Sequence, residues 1–155
     1  MKKSIPQNAF PKVKDRNKIV KNGHLNPADT KYPRWRFYKM NHKGEYSILN
    51  SNIENISRII YTMSCLESQT WEKIKESTRG GSSAKSKSHL IDPNTAFTEI
   101  GRKLFTDNNL DEYADNIFSI EITNKERLFG ILHDGVFDVL WYDPDHRIVK
   151  TKYNS

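Results

Sequence analysis

The last third of the chain contains three runs of strand-forming apolar residues joined by short polar segments. The runs cover residues 117–122, 127–132 and 136–142 and are rich in Ile, Val, Leu, Phe and Trp. Runs of this kind, bounded by turn-forming residues, are typical of β-strands. Asp134-Gly135 between the second and third runs is a strong hairpin signal. The pattern predicts a three-stranded antiparallel meander, and a fold for this chain has to be built around it.

Alternating apolar residues also flank a turn-forming cluster upstream of the meander. Trp35 and Phe37 precede residues 41–44 (Asn-His-Lys-Gly), and Tyr46 and Ile48 follow them. Apolar residues at every second position on both sides of a turn predict a β-hairpin. We therefore expect two further antiparallel strands in this region.

The segment after this hairpin has the period of an amphipathic helix. Residues 51–54 (Ser-Asn-Ile-Glu) have the form of a capping box. The apolar residues Ile53, Ile56, Ile60 and Met63 then recur every three to four positions. The spacing predicts a helix that ends near residue 66 and buries this stripe.

Two more helices are predicted before the meander. Thr70 can cap a short helix over 71–76 that buries Trp71 and Ile74. A third helix is expected from Asp92-Pro93 to about 107–109, because proline suits the first helical position and an apolar stripe follows. The stripe consists of Phe97, Ile100 and Leu104.

The order of elements predicts an α+β fold. We expect an antiparallel sheet, made of the N-terminal hairpin and the C-terminal three-stranded meander, with about three helices on one face. Residues 32–155 are assigned to this single domain, and residues 1–31 to a basic, flexible N-terminal arm.

Charge is distributed unevenly along the 155 residues. The net charge is +6, and residues 1–47 hold twelve of the 25 basic residues but only three of the 19 acidic ones. A basic arm can follow nucleic-acid phosphates, and a solvated leader is the alternative. Residues 79–88 form a predicted polar loop that either contacts phosphates or serves as a solvated linker. The basic residues proposed to bind nucleic acid are Lys12, Lys14, Arg16, Lys18 and Lys21 in the arm and Lys85 and Lys87 in the loop.

Several classes of protein are not expected. No run reaches the roughly 18 apolar residues that span a bilayer, and no apolar signal core follows Met1, so a cytoplasmic protein without a membrane partner is predicted. The single cysteine, Cys65, excludes an internal disulfide and a cysteine-rich zinc site. The five histidines lack metal-ligand spacing, and residues 80–86 lack the second glycine of a phosphate-binding loop. No cofactor or metal is expected.

Three residues are candidates for catalysis of RNA cleavage without a metal. Such cleavage needs a general base, a general acid and a cation for the phosphorane, which His89, His146 and Arg127 can supply if the tail after residue 142 folds back. Arg127 can instead be a cross-strand ion-pair partner. For residues 143–146 (Asp-Pro-Asp-His), a plain turn and a metal site are the alternatives.

Six aromatic residues have spacing consistent with packing between the sheet and the helices. These aromatic residues are best interpreted as core, although such rings can also stack on bases. They are Trp35, Trp71, Trp141, Phe37, Phe118 and Phe137.

The C-terminal sequence resembles two groups of proteins. Arg127-x-x-Gly130, followed by Phe137-x-x-Leu140-Trp141-x-Asp143-Pro144-x-His146, resembles a pattern carried by a widespread group of bacterial proteins to which we attach no activity. The strand, arginine, strand and late histidine order over 117–146 is similar to the RelE and YoeB toxins, small α+β ribonucleases that cleave messenger RNA on the ribosome. The second resemblance implies that Arg127 contacts phosphate and that His146 is the acid or base.

Two hypotheses of function follow. In the first, the protein acts on RNA as a RelE-like, metal-independent endoribonuclease of a toxin–antitoxin system, with the ribosome and an antitoxin as partners. In the second, it is a non-catalytic module that binds nucleic acid or protein through its basic arm. The sequence does not determine the oligomeric state.

Overall fold

The computed structural model describes residues 26–77 and 87–152. The arm residues from Lys12 to Lys21 and Lys85 of the predicted loop lie outside the described residues. Residues 26–31, which we assigned to the arm, are packed on the domain. A 3-10 helix covers Pro27–Thr30, and buried Asp29 pairs with Lys75 at 2.6 Å. The folded part therefore begins earlier than residue 32.

The sheet has five strands in the order β1-β5-β4-β3-β2. The strands are β1 (Arg34–Arg36), β2 (Ser88–Leu90), β3 (Ile117–Glu121), β4 (Arg127–His133) and β5 (Val136–Asp143). β3, β4 and β5 form the predicted antiparallel meander. The α+β class is confirmed.

The predicted N-terminal hairpin is wrong. β1 pairs in parallel with β5, with Trp35 opposite Phe137, and residues 46–48 form no strand. The Tyr46 carbonyl accepts a hydrogen bond from the Tyr142 amide at 2.9 Å. A 3-10 helix over Ile48–Asn50 follows. β1 thus takes its hydrogen-bond partner from a strand about a hundred residues later, which a local pattern does not reveal.

Within residues 26–77 and 87–152, four α-helices accompany the sheet. They are α1 (Ile53–Leu66), α2 (Trp71–Glu76), α3 (Pro93–Ala96) and α4 (Glu99–Asp107), and a further 3-10 helix covers Asp111–Asn116. α1 is capped by Asn52, whose side chain accepts from the Asn55 amide at 2.9 Å, and not by Ser51. α2 confirms its prediction, with Trp71 and Ile74 buried.

The predicted third helix is split into α3 and α4. Phe97 leaves the helical conformation and forms an isolated antiparallel bridge with Val149 of the tail. Thr98 then caps α4 by accepting from the Gly101 amide at 3.3 Å. The returning tail interrupts the helix because it offers this bridge and a hydrogen bond from the Thr98 amide to the Ile148 carbonyl, at 2.9 Å.

Helices cover both faces of the sheet, and not one face as predicted. Residues of the strands alternate between two hydrophobic clusters, following the period of two, except at the irregularity in β5, where Leu140 and Trp141 both belong to the second cluster. The first cluster holds α1 and α2 against Phe118, Leu128 and Phe137. The second holds α3, α4 and the tail against Ile117, Phe129 and Trp141. Because both faces are covered, most residues of β4 and β5 are buried.

The predicted apolar stripe of α1 is only partly buried. Ile59 and Met63 lie in the core, with Ile56 partly buried beside them. Ile53 is 74% exposed and Ile60 is 61% exposed. The core-facing side of α1 is therefore rotated away from the predicted one.

Among the described residues, no helix has the length and hydropathy needed to cross a membrane.

Gly130 allows the close approach of β5 to β4. It lies at a register shift between Phe129 and Gly130, and a Cβ atom there would collide with the Asp138 carbonyl oxygen and with the Phe137 ring, whose Cζ would be 2.5 Å away.

We expect Gly130→Ala to lower the free energy of unfolding by about 1 to 3 kcal/mol, as overpacking does. Urea denaturation measures this. Thr106→Ala, on the exposed side of α4, is the control, and an equal stability change in both variants would contradict the prediction.

Candidate functional site

The three candidate catalytic residues lie on different parts of the sheet. Arg127 begins β4, and its register partner is Asp143 at the end of β5. His146 follows on the turn after Asp143, and the tail folds back over α3 and α4. Arg127 and His146 are thus at the same end of the sheet. His89 lies on the edge strand β2, opposite Ser119 of β3.

Arg127 is buried and engaged in structural interactions. Its side chain is 4% exposed, and its Nη2 lies 3.3 Å from the Glu121 Oε2. The guanidinium also donates to the carbonyls of the loop between β3 and β4, at 2.5 Å to Thr123, 2.9 Å to Glu126 and 3.2 Å to Asn124. This geometry matches the ion-pair alternative. The guanidinium binds its own chain at the positions where a phosphate would have to bind.

The turn after β5 is held by the Asp143 carboxylate. Asp143 is fully buried, and it accepts hydrogen bonds from the Arg147 and Ile148 amides, both at 2.8 Å, and from the Asp145 amide at 3.3 Å. Burial has the largest effect and raises the pKa of Asp143 above its ordinary value, although these three hydrogen bonds act to lower it. Because the carboxylate is used for the backbone and Asp145 pairs with Lys125 at 2.8 Å, the residues form a structural turn. No group of three potential metal ligands occurs in residues 26–77 and 87–152.

His89 is exposed, but it is separated from Arg127 by β3 and by two register positions. With strands about 4.8 Å apart and a rise of about 3.3 Å per residue, the Cα atoms of the two residues lie about 12 Å apart. His146 is half-buried with φ of 56°. Arg127 and His146 thus share one end of the sheet while His89 lies two strands away from Arg127, and the convergence of the three side chains on one phosphate stays a prediction.

An exposed surface at the other edge of the sheet combines aromatic and basic side chains. We call it the aromatic–basic patch, and it is formed by Arg34, Arg36, Phe37, Tyr38 and Lys39 together with Tyr113. Phe37 is 45% exposed and Tyr38 is 64% exposed. Phe37 is therefore not a core residue, whereas Trp71, Trp141, Phe118 and Phe137 are buried as predicted.

Two cations lie against the rings of the aromatic–basic patch. The Arg36 guanidinium carbon is 4.9 Å from the centroid of the Tyr38 ring. The Lys39 Nζ is 4.9 Å from the Tyr38 centroid and 4.8 Å from the Tyr113 centroid. It also donates to the Tyr113 hydroxyl at 3.3 Å. These cation–π contacts fix the position of Tyr38 on the surface.

Arg36 and Lys39 of the patch stay charged near neutral pH. Asp138, 3% exposed, accepts hydrogen bonds from Arg36 on both carboxylate oxygens, one of them at 2.6 Å. The hydrogen bond with Asp138 raises the pKa of Arg36. Contact with the Tyr38 and Tyr113 hydroxyls raises the pKa of Lys39.

The sequence contained a signal for this patch. Residues 34–39 read Arg-Trp-Arg-Phe-Tyr-Lys, in which basic and aromatic residues are interleaved. We interpreted the segment as a core hairpin, so its aromatic residues were assigned to the interior. Of the basic residues predicted to bind nucleic acid, only Lys87 is described, and it is exposed next to the edge strand β2.

A cleft of about 340 Å³ lies beside the tip of the β4–β5 hairpin, between Asp29, Lys75 and Asp134. The charged groups of these three residues are paired. Asp29 binds Lys75 at 2.6 Å, and Asp134 binds Lys31 at 2.5 Å. These pairs fit a structural role that joins residues 29–31 to the domain.

Another buried carboxylate, that of Glu126, lies on the opposite face of the sheet from Asp143. Glu126 accepts hydrogen bonds from Arg58 of α1, at 2.9 and 3.1 Å, and from the Tyr142 hydroxyl. Burial has the largest effect on the Glu126 pKa and raises it, but the hydrogen bonds from Arg58, Tyr142 and Thr123 together lower the pKa below its ordinary value. Burial and the Glu126 carboxylate raise the pKa of Tyr142. The cluster ties α1 to the sheet.

Comparisons with known proteins identify no family. No protein-family model, no curated protein and no solved structure matches this chain. The resemblances drawn from the C-terminal motifs therefore stay predictions.

Glu126 should stabilise the fold in a pH-dependent way. Because its pKa is lowered on folding, its contribution is present above the ordinary glutamate pKa and is lost as the pH falls through the folded-state value. We expect Glu126→Gln to lower the urea midpoint at pH 7 by roughly 0.5 to 1 M, and by less at pH 3. Glu76→Gln, at an exposed position of α2, is the matched control. An equal loss at both pH values would contradict the assignment.

Proposed function

We propose that this protein binds single-stranded nucleic acid through the aromatic–basic patch. The observation that carries the proposal is the Tyr38 ring, which is 64% exposed and has the Arg36 guanidinium carbon and the Lys39 Nζ each 4.9 Å from its centroid. Proteins that bind single strands combine aromatic rings, on which bases stack, with cations that attract phosphates. Both elements occur here within six consecutive residues.

The patch favours a single strand over a duplex. Stacking on Phe37 or Tyr38 requires a base whose face is open, and the bases of a duplex are stacked on one another. β1 has only three residues, so the aromatic residues after it project from a short sheet edge and not from a helix that could enter a major groove. The ligand class is therefore an unpaired RNA or DNA segment.

The surroundings of the patch orient the ligand. Asp111, Glu112 and Asp115 surround Tyr113 in its 3-10 helix and disfavour phosphates on that side. Arg34 lies at the other end of the patch and is exposed. We expect the phosphates to contact the Arg34 side and the bases to reach Phe37 and Tyr38.

The general electrostatic attraction for the nucleic acid comes from residues 1–25, which lie outside the described part of the chain. Residues 26–77 and 87–152 hold sixteen basic and eighteen acidic residues, a net charge of −2, whereas residues 1–25 hold seven basic residues and one acidic one. A body with a slight negative charge gives little general attraction for a polyanion. The basic arm supplies it in this proposal, and the patch supplies the specific contact.

Binding without cleavage is the form of the function that the geometry favours. In the RelE-like hypothesis Arg127 contacts the phosphate, but its guanidinium donates to three carbonyls of its own chain and pairs with Glu121. The toxin hypothesis remains a prediction, and its test is RNA cleavage by the wild-type protein that His146→Ala abolishes.

Replacing Tyr38 should weaken binding of a single strand. Loss of one stacking ring typically costs a factor of roughly 5 to 100 in affinity, so Tyr38→Ala should raise the Kd for a 12-nucleotide oligo-U or oligo-dT by that factor. Fluorescence anisotropy at low salt measures the Kd. Tyr61→Ala removes a tyrosine that is 72% exposed on α1 and should leave the Kd unchanged. Equal affinities for wild type and Tyr38→Ala, or tighter binding of a duplex, would refute the proposal.

The arm should determine how strongly salt weakens binding. Each phosphate contact on a single strand contributes about 0.7 to the slope of log K against log salt. Removal of residues 1–25 should lower both the affinity at low salt and the magnitude of this slope. Lys103→Gln, at an exposed position of α4, should change neither. An unchanged slope after removal of the arm would show that the arm does not contact the strand.

A further inference from the structure

The exposed side of α1 has a row of alternating large and small residues without charge. Ile53, Ser57, Ile60 and Ser64 follow one another at spacings of four, three and four residues. This spacing places them on one side of a helix, in the pattern of a coiled-coil seam. We call these four residues the α1 seam. All four are exposed, with Ile53 at 74% and Ile60 at 61%.

The α1 seam is not needed for the core of the domain. Ile59 and Met63 supply the buried contacts of α1, with Ile56 and Leu66 partly buried beside them. Leu49, just before the helix, is also 57% exposed. The two isoleucines belong to neither hydrophobic cluster of the core, so their side chains are available to a partner.

The serines of the seam are already satisfied by hydrogen bonds. The Ser57 hydroxyl donates to the Ile53 carbonyl, and the Ser64 hydroxyl donates to the Tyr61 carbonyl, both at 2.7 Å. A hydroxyl bonded within its own helix can be buried by a partner at little cost. The small side chains also allow another helix to approach closely.

We propose that the α1 seam binds the α1 seam of a second copy of this chain, antiparallel and around a two-fold axis between residues 58 and 59. In that arrangement Ile53 lies opposite Ser64 of the second copy, and Ile60 lies opposite Ser57. Each large side chain meets a small one at all four positions. A parallel pairing would instead place isoleucine against isoleucine and serine against serine. The row is complementary to itself only in the antiparallel direction, and this self-complementarity is the reason for assigning a second copy of the chain as the partner.

The proposed dimer is weak and does not depend on the proposed nucleic-acid binding. α1 has fourteen residues and is therefore about 21 Å long. A single helix pair of this length buries less than the roughly 1,200 Å² of a standard interface, so we expect a Kd on the order of 10 to 100 µM. The aromatic–basic patch lies on other elements and stays outside the seam.

Sedimentation velocity of the full chain tests the association. The protein is treated with nuclease and measured in high salt, so that nucleic acid cannot bridge two copies. We expect a dimer that forms between 10 and 500 µM. Ile60→Glu should raise the dimer Kd at least tenfold, because it places a carboxylate in the seam, whereas Leu90→Glu, at a leucine 52% exposed on β2, should not. Urea denaturation of both variants checks that they fold. A wild-type protein that stays monomeric to 500 µM, or equal effects of both variants, would overturn the proposal.

Disulfide crosslinking tests the antiparallel direction. Cys65 is exposed, so the variants are made in a Cys65→Ser background. The two copies of residue 57 would lie about 4.5 Å apart along the axis and the two copies of residue 64 about 16 Å apart, so only the first pair can meet disulfide geometry. Ser57→Cys should form a dimer on oxidation and Ser64→Cys should not. Crosslinking of both variants would indicate a parallel pair and overturn the proposed arrangement, as would crosslinking of neither.

Discussion

The antiparallel pairing of β4 with β5 is the interaction on which the rest of the structure depends. Its residues supply both hydrophobic clusters, so α1 and α2 on one face and α3 and α4 on the other pack on the same two strands. β1 adds to the outer side of β5, and β3 adds to the outer side of β4. A substitution in this strand pair, as at Gly130, therefore disturbs the packing on both faces of the sheet.

The same pairing explains why the centre of the sheet is a poor place for a reactive site. A strand covered on both faces buries its polar groups, and buried charges need partners. Arg127 and Asp143 lie opposite each other at one end of the pair. Arg127 binds loop carbonyls and Glu121, and Asp143 binds the backbone of the tail. These polar groups close the end of the sheet, and the side chains available to a ligand lie at the edges.

The sequence predicts best where the structure is local. The meander and α2 are specified by runs and turns that neighbouring residues form together. The missed features depend on distant partners. β1 pairs with β5 about a hundred residues away, and the tail splits the third helix through Val149 and Ile148. The wrong assignment of Phe37 to the core followed from the same error, because the predicted hairpin would have covered this side chain. The chemistry of Arg127 was predicted as two alternatives, and only its burial separates them.

In the part of the chain that the structure describes, large hydrophobic side chains are exposed where the sheet and its helices have no neighbouring element. Phe37 and Tyr38 follow an edge strand that is too short to be covered, and Ile53 and Ile60 lie on the side of α1 that faces away from the first cluster. The two surfaces differ in chemistry. Cations lie against the rings at the edge, which suits a polyanion with flat bases. The four residues of the α1 seam carry no charge, and their serines are bonded to their own helix, which suits an apolar helix. The two proposed surfaces therefore call for different partners, an unpaired nucleic-acid strand at the sheet edge and an apolar helix at the α1 seam.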